Sequence, residues 1–170
     1  MAIELRGRAR ILGDDINTDY IIASTRKRDT LDETILKRYL LETVDPSFAA
    51  SVVPGDLLVG GNNFGCGSAM EVAATVILAA GIRAVLAKSF ARTFFRNAIN
   101  NGLIPVECDT SAIREGDALV VRLEGSSLAV DDLTRGLSFG AVPLPPMMTE
   151  ILDAGGIVDF VRNGGWTTAS

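Results

Sequence analysis

Histidine is absent from this sequence, and cysteine occurs only at Cys66 and Cys108, far apart in the chain. Without histidine or a C-x-x-C pair, the chain alone is not expected to bind zinc or an iron–sulfur cluster. No apolar run reaches the roughly 18 residues of a membrane span. The opening MAIELRGRARI lacks the features of a signal peptide, so we expect a cytoplasmic protein with free thiols; a single disulfide is the alternative.

Basic residues are in the minority, because 16 lysines and arginines stand against 21 aspartates and glutamates, for a net charge of -5. Nucleic-acid binding normally requires a basic patch or stripe, so that class of partner is not indicated. Small acidic molecules remain possible ligands, since a local basic cluster can bind them. The 170 residues are 48% hydrophobic and show no repeat or linker, so we predict a single domain over residues 1–170.

Apolar periodicity predicts a series of strands and helices in the first two thirds of the chain. The strands are expected at 3–12, 56–60, 83–89 and 103–107, and the helices at 32–43, 68–80 and 90–102. Gly81 and Gly102 are expected to end two of these helices, since glycine readily takes the left-handed conformation of a helix end. Three strand-then-helix units in a row indicate an α/β fold with parallel strand pairing.

The remaining segments are predicted from turn residues. A polar turn at 13–19 is followed by a short extended segment at 20–22. A hairpin is expected around 125–127. Two short helices are expected within 147–163, divided by the glycine pair at 155–156.

The stretch GGNNFGCGSAME, residues 60–71, leads from a predicted strand into a predicted helix. Ser68 is a candidate N-cap there, and Glu71 would complete a capping box. Glycines at such a junction allow free backbone N–H groups to approach a carboxylate or a phosphate. The stretch matches neither the Walker loop nor the G-x-G-x-x-G motif in register. A tight structural turn without a ligand is the alternative.

Three blocks, GDDINTDYII, GNNFGCGS and KSFARTFFRNAINNGLIPVE, together resemble the small subunit of the isopropylmalate dehydratase branch of the aconitase superfamily. The resemblance runs from about residue 8 to 162. It implies the swivelling β/β/α domain of that superfamily, which closes over a large subunit carrying a [4Fe-4S] cluster. The activity it implies is that of a hydro-lyase on a di- or tricarboxylic acid, most often 3-isopropylmalate in leucine biosynthesis.

The resemblance also implies two catalytic residues. Ser68 matches the family serine that removes a proton next to a substrate carboxylate, and Asp19 matches an aspartate that lines the active site. A serine alkoxide requires strong stabilisation, for which backbone amides at a helix N-terminus are suited. The alternative roles are an N-cap for Ser68 and a turn or helix cap for Asp19.

The loop around Ser68 departs from the family pattern. Gly67 is retained, but Ala69 replaces a second serine, Met70 replaces an arginine and Val72 replaces a histidine. The family arginine contacts a substrate carboxylate, and a thioether cannot replace a planar, two-pronged cation. The position therefore meets an apolar group, or another cation takes over, or activity has been lost.

The candidate replacement cations lie in STRKRDT, where the family carries a substrate-selecting loop. Arg26, Lys27 and Arg28 are predicted to form a local positive region that binds a dicarboxylate, with Arg28 matching the family's arginine. A solvated loop is the alternative.

The resemblance implies a small subunit of the isopropylmalate dehydratase branch, active only with a large subunit. One alternative is a related hydratase acting on maleate, citraconate, dimethylmalate or homoaconitate. Another is a non-catalytic anion-binding module that regulates a partner. The isolated chain is a candidate homo-oligomer, and we expect no nucleic acid, membrane or resident cofactor.

Overall fold

The computed structural model describes residues 2–166. Within that range the strands form one seven-stranded sheet in the order β4-β3-β2-β1-β5-β6-β7. The strands are β1 (Ala2–Ile11), β2 (Leu57–Val59), β3 (Ala84–Ala87), β4 (Ile104–Glu107), β5 (Ala118–Glu124), β6 (Ser127–Asp132) and β7 (Leu137–Gly140). The helices are α1 (Thr18–Ile21), α2 (Ser24–Asp29), α3 (Glu33–Leu36), α4 (Phe48–Ser51), α5 (Glu71–Ala79), α6 (Arg92–Asn101), α7 (Pro146–Ala154) and α8 (Ile157–Arg162).

Strand β1 joins a parallel half of the sheet to an antiparallel half. Its last residues pair in parallel with β2, and β2, β3 and β4 continue the parallel pairing. Most of its length pairs antiparallel with β5, which continues into β6 and β7. The carboxyl ends of β1, β2 and β3 therefore lie at one edge of the sheet, where connecting loops commonly form binding sites.

The core lies on both faces of the parallel half, as its short apolar strands predict. Successive residues alternate in direction, so Leu58 packs with α1, α3, α4 and α5, whereas Leu57 and Val59 pack with residues of α6, α7 and α8. Every residue of β2 and β3 is buried. Because both faces of these strands are covered, the loops at the ends of the strands are the part of this region that can reach a ligand.

Most of the predicted elements are confirmed. The strands, the parallel pairing, the hairpin at 125–127 and the paired C-terminal helices are all present. Gly102 ends α6 with a φ of 85°, in the left-handed region. Strand β7 and helix α2 were not predicted, since β7 is largely exposed and α2, with the sequence STRKRD, contains no apolar residue to create a helical period.

The extended segment predicted at 20–22 is wrong. Asn17 caps a short helix there, because its Oδ1 accepts the backbone N–H of Asp19 at 2.9 Å. The helix predicted at 32–43 is also interrupted, since α3 passes into a 3-10 turn, Lys37–Tyr39, and then into turns. Leu40 and Leu41 are both fully buried, and Leu41 adopts a φ of 56°. Adjacent residues of a helix point in different directions, so the chain departs from helical geometry where Leu40 and Leu41 are both buried.

Asp56, the residue before β2, is the centre of a polar cluster that includes Arg8 and Arg10. It accepts from Arg8 Nε at 2.9 Å, from Arg10 Nη1 at 3.4 Å and from the Val53 N–H at 2.9 Å. Burial alone would raise the pKa of the Asp56 carboxyl, but hydrogen bonds, above all from Arg8, outweigh it and lower the pKa below its ordinary value. Only 7% of Arg10 is exposed, and its charge is compensated by Asp56 together with Glu115, whose Oε1 accepts from Arg10 Nε at 2.8 Å.

We predict that Asp56→Asn lowers the free energy of unfolding at pH 7 by about 3 kcal/mol, because a neutral amide replaces the buried carboxylate that pairs with both Arg8 and Arg10. The lowered pKa means that the native state gains stability from the ionised carboxylate above the unfolded pKa of about 4 and loses it as the pH falls. The difference between the variant and the wild type should therefore shrink toward pH 3. Urea unfolding followed by circular dichroism measures both values.

Glu4→Gln is the matched control, because the Glu4–Arg6 pair lies at the surface and is screened by water. It should have the smaller effect at pH 7. An Asp56→Asn variant as stable as Glu4→Gln would show that the buried cluster does not stabilise the fold.

Candidate active site

The loop after β1 and the glycine-rich loop after β2 are joined by backbone hydrogen bonds. The N–H of Asp15 donates to Asn62 O, that of Gly65 to Ile16 O and that of Thr18 to Cys66 O, each at 2.8 Å. These bonds extend the parallel pairing of β1 and β2 past the ends of the strands, with a further bridge between Asn17 and Cys66. The polar segment and the glycine-rich segment of the sequence are thus joined into one continuous edge.

Two glycines permit this close approach. A Cβ on Gly67 would lie 2.5 Å from Asn17 Oδ1, and one on Gly65 would lie 2.2 Å from the Phe94 ring. Both residues also have positive φ angles, 94° and 82°, which side chains rarely adopt. The bare backbone is therefore required by packing as well as by any ligand.

A third loop, between β3 and α6, supports the glycine-rich loop from the other side. The N–H of Phe64 donates to Ser89 O at 3.0 Å, and the N–H of Ala91 donates to Phe64 O at 2.9 Å. The Phe64 side chain is fully buried, with its ring centroid 5.2 Å from that of Phe94 on α6. The aromatic residues of the third sequence block thus anchor the loop that carries Ser68.

Ser68 lies at the exposed end of this loop. Thr18, itself buried, donates its hydroxyl to Ser68 O at 2.9 Å and fixes the backbone there. Within residues 2–166 the Ser68 hydroxyl has no hydrogen-bond partner, and the N–H groups of Ser68, Ala69, Met70 and Glu71 donate to no acceptor. The arrangement leaves a solvent-facing hydroxyl beside several free amides.

The predicted N-cap role of Ser68 is wrong. Helix α5 begins at Glu71, and its N-cap is Met70, whose side chain forms no capping hydrogen bond. The capping box with Glu71 is absent for the same reason: the chain from Gly67 to Met70 is still irregular when it reaches the helix. The partial positive charge at the start of α5 is therefore available to an anion.

The structure places Asp19 and Lys27 beside this helix start. Lys27 Nζ lies 2.7 Å from Met70 Sδ and 3.5 Å from Asp19 Oδ1. The Lys27 side chain is only 7% exposed, whereas that of Asp19 is 51% exposed. The Ser24 hydroxyl, 2.6 Å away, lowers the pKa of the Asp19 carboxyl below its ordinary value; partial burial opposes this, and Lys27 lowers the pKa further.

The neighbouring arginines do not share this position. Arg26 donates to both Glu42 oxygens, at 2.9 and 3.1 Å, and its guanidinium stacks 3.8 Å from the Tyr39 ring centroid. Arg28 is exposed and forms no hydrogen bond or ion pair within the part of the chain that the structure describes. Of the three predicted cations, the structure brings only Lys27 into contact with the Met70 loop.

Sequence reasoning missed Thr18, Ser24 and Asn17 as supports of the site. Thr18 donates to Ser68 O, Asn17 forms a bridge with Cys66, and Ser24 donates to Asp19. The spacing of Ser24 and Lys27 on one helical turn is the signal that would have pointed to a shared surface, but α2 lacks the apolar period that reveals a helix.

Both cysteine thiols are free. Burial raises the pKa of the Cys108 thiol to about 11, so it is protonated at neutral pH. Residues 2–166 contain no group of three or more histidine, cysteine, aspartate or glutamate side chains placed to hold a metal ion. Over the same residues, no helix is long and apolar enough to cross a membrane.

Comparison with known proteins gives consistent matches. Residues 16–111 match the Aconitase C-terminal domain family. The 3-isopropylmalate dehydratase small subunit of Thermodesulfovibrio yellowstonii is 42% identical over 164 residues, which span 94% of this chain and 95% of that relative. The corresponding protein of Caldicellulosiruptor bescii is 44% identical over 159 residues, which span 92% and 94%.

A solved structure agrees with these relatives. The crystal structure of 3-isopropylmalate dehydratase from Methanocaldococcus jannaschii matches with a TM-score of 0.86 and 38% identity, over 95% of each chain.

We predict that Gly67→Ala weakens the hydrogen bonds between the loop after β1 and the loop after β2. Its Cβ would overlap the Asn17 side chain at a φ of 94°, so the free energy of unfolding should fall by at least about 1 kcal/mol. Hydrogen exchange of the Thr18 amide, which donates to Cys66 O, should accelerate. Gly140→Ala is the control, since a Cβ there meets nothing within 4 Å. An unchanged Thr18 exchange rate in Gly67→Ala would contradict the role of this close approach.

Proposed function

Since the chain belongs to the Aconitase C-terminal domain family, and within it to the 3-isopropylmalate dehydratase small subunits, we propose that it is the small subunit of a hydro-lyase that removes water from 3-isopropylmalate. The fold is accordingly the swivelling domain of the aconitase superfamily. The observation that carries the proposed chemistry is the exposed Ser68 hydroxyl beside free amides at the start of α5.

Ser68 is the proposed base. As an alkoxide, its Oγ takes the proton from the carbon next to a substrate carboxylate, and the electron pair of that C–H bond forms the carbon–carbon double bond. The C–O bond on the neighbouring carbon breaks, and hydroxide leaves toward the large subunit. Ser68 ends the step as a neutral hydroxyl, and readdition of water would return its proton.

The surrounding amides make this role physically possible. A serine hydroxyl is a very weak acid, so an alkoxide at this position requires several donors directed at the oxygen. The N–H groups of Ala69, Met70 and Glu71 are unpaired within residues 2–166, and the dipole of α5 adds partial positive charge. The Thr18 hydroxyl donates to the Ser68 carbonyl oxygen, which fixes the Ser68 backbone and leaves the Ser68 hydroxyl unused.

The second reacting surface belongs to the partner. The names of the relatives imply a large subunit, and we propose that a [4Fe-4S] cluster held there would supply Lewis-acid chemistry at the substrate hydroxyl. Residues 2–166 of this chain contain no group of side chains placed to hold such a cluster. Asp19, whose lowered pKa keeps it ionised at neutral pH, is proposed to face that site. The free thiols suit a reducing compartment, and we propose the cytoplasm.

A related dicarboxylate is the second candidate substrate. Ala69 is exposed and Met70 half-buried, so the loop presents a methyl group and a thioether beside the serine. This surface favours an alkyl substituent on the substrate, which isopropylmalate, dimethylmalate and citraconate all carry. Maleate, which has none, is the least favoured of the panel.

We expect Ser68→Ala to lower kcat by about 100- to 10,000-fold, the usual contribution of a positioned base, while assembly with the large subunit is retained. Turnover of 3-isopropylmalate, citraconate, dimethylmalate and maleate by the reconstituted complex gives the measurement, and size-exclusion chromatography checks assembly.

Ser127→Ala is the matched control, since Ser127 lies exposed at the start of β6, away from the site, and should leave kcat unchanged. A Ser68→Ala complex with wild-type kcat would remove Ser68 from its proposed role. A wild-type complex inactive on every acid would overturn the proposed hydro-lyase.

A further inference from the structure

Two aspartates are buried together at one corner of the antiparallel half of the sheet. Asp117 is the residue before β5, and Asp132 is the last residue of β6. Only 2% of Asp117 and 1% of Asp132 is exposed. Leu119 pairs with Asp132, so the two carboxyls lie on the same face of the sheet, within hydrogen-bonding range of each other. Two negative charges so close together and out of water would repel each other strongly.

The hydrogen bonds of this corner satisfy Asp117 but not Asp132. Asp117 Oδ2 accepts from the Arg114 N–H and from Arg135 Nε, both at 2.9 Å. Asp132 Oδ1 accepts from the Arg135 N–H at 3.1 Å. Asp132 Oδ2 is buried and has no hydrogen-bond partner among residues 2–166. An ionised carboxylate can only accept, so this oxygen is unfavourable as it stands, whereas a protonated acid is itself a donor.

One guanidinium faces the two carboxyls, that of Arg135 in the turn after β6. Arg8 and Arg10 of β1 are directed to Asp56 instead. Strand β7, with the sequence LSFG, carries no charge. The other charged groups of the surrounding elements lie elsewhere: Glu115 on Arg10, the exposed Arg114 side chain, the surface pair of Glu4 and Arg6, the pair of Arg122 and Asp131 on the opposite face, and Glu150 and Asp153 beside Gly125 at the far end of β5.

We propose that the folded protein holds one proton on this pair, with Asp132 as a neutral acid that donates its Oδ2 hydrogen to the ionised Asp117 carboxylate. The proton removes the repulsion between the two carboxyls and gives Asp132 Oδ2 the partner that it otherwise lacks. Asp132 is the acid of the pair because it accepts one backbone N–H, whereas Asp117 accepts a backbone N–H and a guanidinium.

The electrostatics of the two carboxyls agree with this assignment. Burial, followed by the Asp117 carboxyl, raises the pKa of Asp132 above its ordinary value, and the Arg135 N–H opposes the change. Burial alone would also raise the pKa of Asp117, but hydrogen bonds from the Arg114 N–H, Asp132 and Arg135 outweigh it and lower that pKa. The stability that Asp132 contributes is therefore complete below its unfolded pKa of about 4 and is lost as the pH rises through its folded pKa.

The corner connects this proton to β1. The Ala9 N–H donates to Asp117 O, and the Gly116 N–H donates to Ala9 O, both at 2.8 Å. Strand β1 ends two residues later at Ile11 and leads into the loop that carries Asp19. Loss of the proton would place two like charges where β1 joins the antiparallel half. The pairing of β1 with this half is therefore pH-sensitive at the end nearest the candidate site.

The test is an NMR titration of the side-chain carboxyl carbons in the full chain, from about pH 3 to about pH 8. Asp132 should stay protonated above about pH 3.9, the ordinary aspartate value, and Asp117 should be ionised there. Asp131, the next residue along β6, is the internal control, because Ser138 and then Arg122 lower its pKa. A midpoint for Asp132 no higher than that of Asp131, or a raised midpoint on Asp117 instead, overturns the proposal.

Asp132→Asn provides an independent measurement, since its amide keeps an N–H donor for Asp117 but cannot ionise. The urea midpoint of the wild type should fall relative to that of Asp132→Asn as the pH rises from about 4 to about 7. Protection of the Ala9 amide from hydrogen exchange should fall with it in the wild type alone. Asp131→Asn is the matched control and should show the opposite sign, losing stability relative to the wild type over the same range.

The same pH dependence in Asp132→Asn and the wild type would show that Asp132 takes up no proton on folding, and would overturn the proposal. If Asp132→Asn does not fold, the carboxyl titration of the wild type decides the question by itself.

Discussion

The backbone hydrogen bonds between the loop after β1 and the loop after β2 determine where the candidate site residues lie. Thr18 is held by Cys66 through its N–H and holds Ser68 through its hydroxyl. Asp19 follows Thr18 directly, and Met70 follows Ser68 after one residue. Without this ladder, the serine, the carboxylate and the helix start would each sit on a separate mobile segment.

The ladder in turn depends on parallel pairing. Because β1, β2 and β3 run in the same direction, their loops leave from one edge and stack side by side. Glycines then remove the side chains that would hold these loops apart, and Phe64 anchors the middle loop in the core. The site is thus an extension of the sheet, which explains how exposed residues are positioned by buried ones.

The parts of the structure with a strong apolar period could be predicted from sequence. Strands β2 and β3 are buried on both faces and read as short apolar runs, and Gly102 marks the end of α6. Segment 18–43 could not be read in this way, because its order depends on distant contacts. The N–H of Leu41, for example, donates to Ile21 O. The sequence also does not show which basic residue of α2 contacts Met70, because this depends on how α2 packs against the start of α5.

Exposure of Ser68 has a consequence for where catalysis occurs. In water, solvent molecules compete for the free amides and reduce the electrostatic stabilisation that they give to an alkoxide. The same amides act more strongly once a second protein surface excludes water from the loop. The isolated chain therefore holds the proposed base in water, and docking of a large subunit would lower the local dielectric around it. On this basis, the dependence of activity on two chains follows from the open position of one hydroxyl.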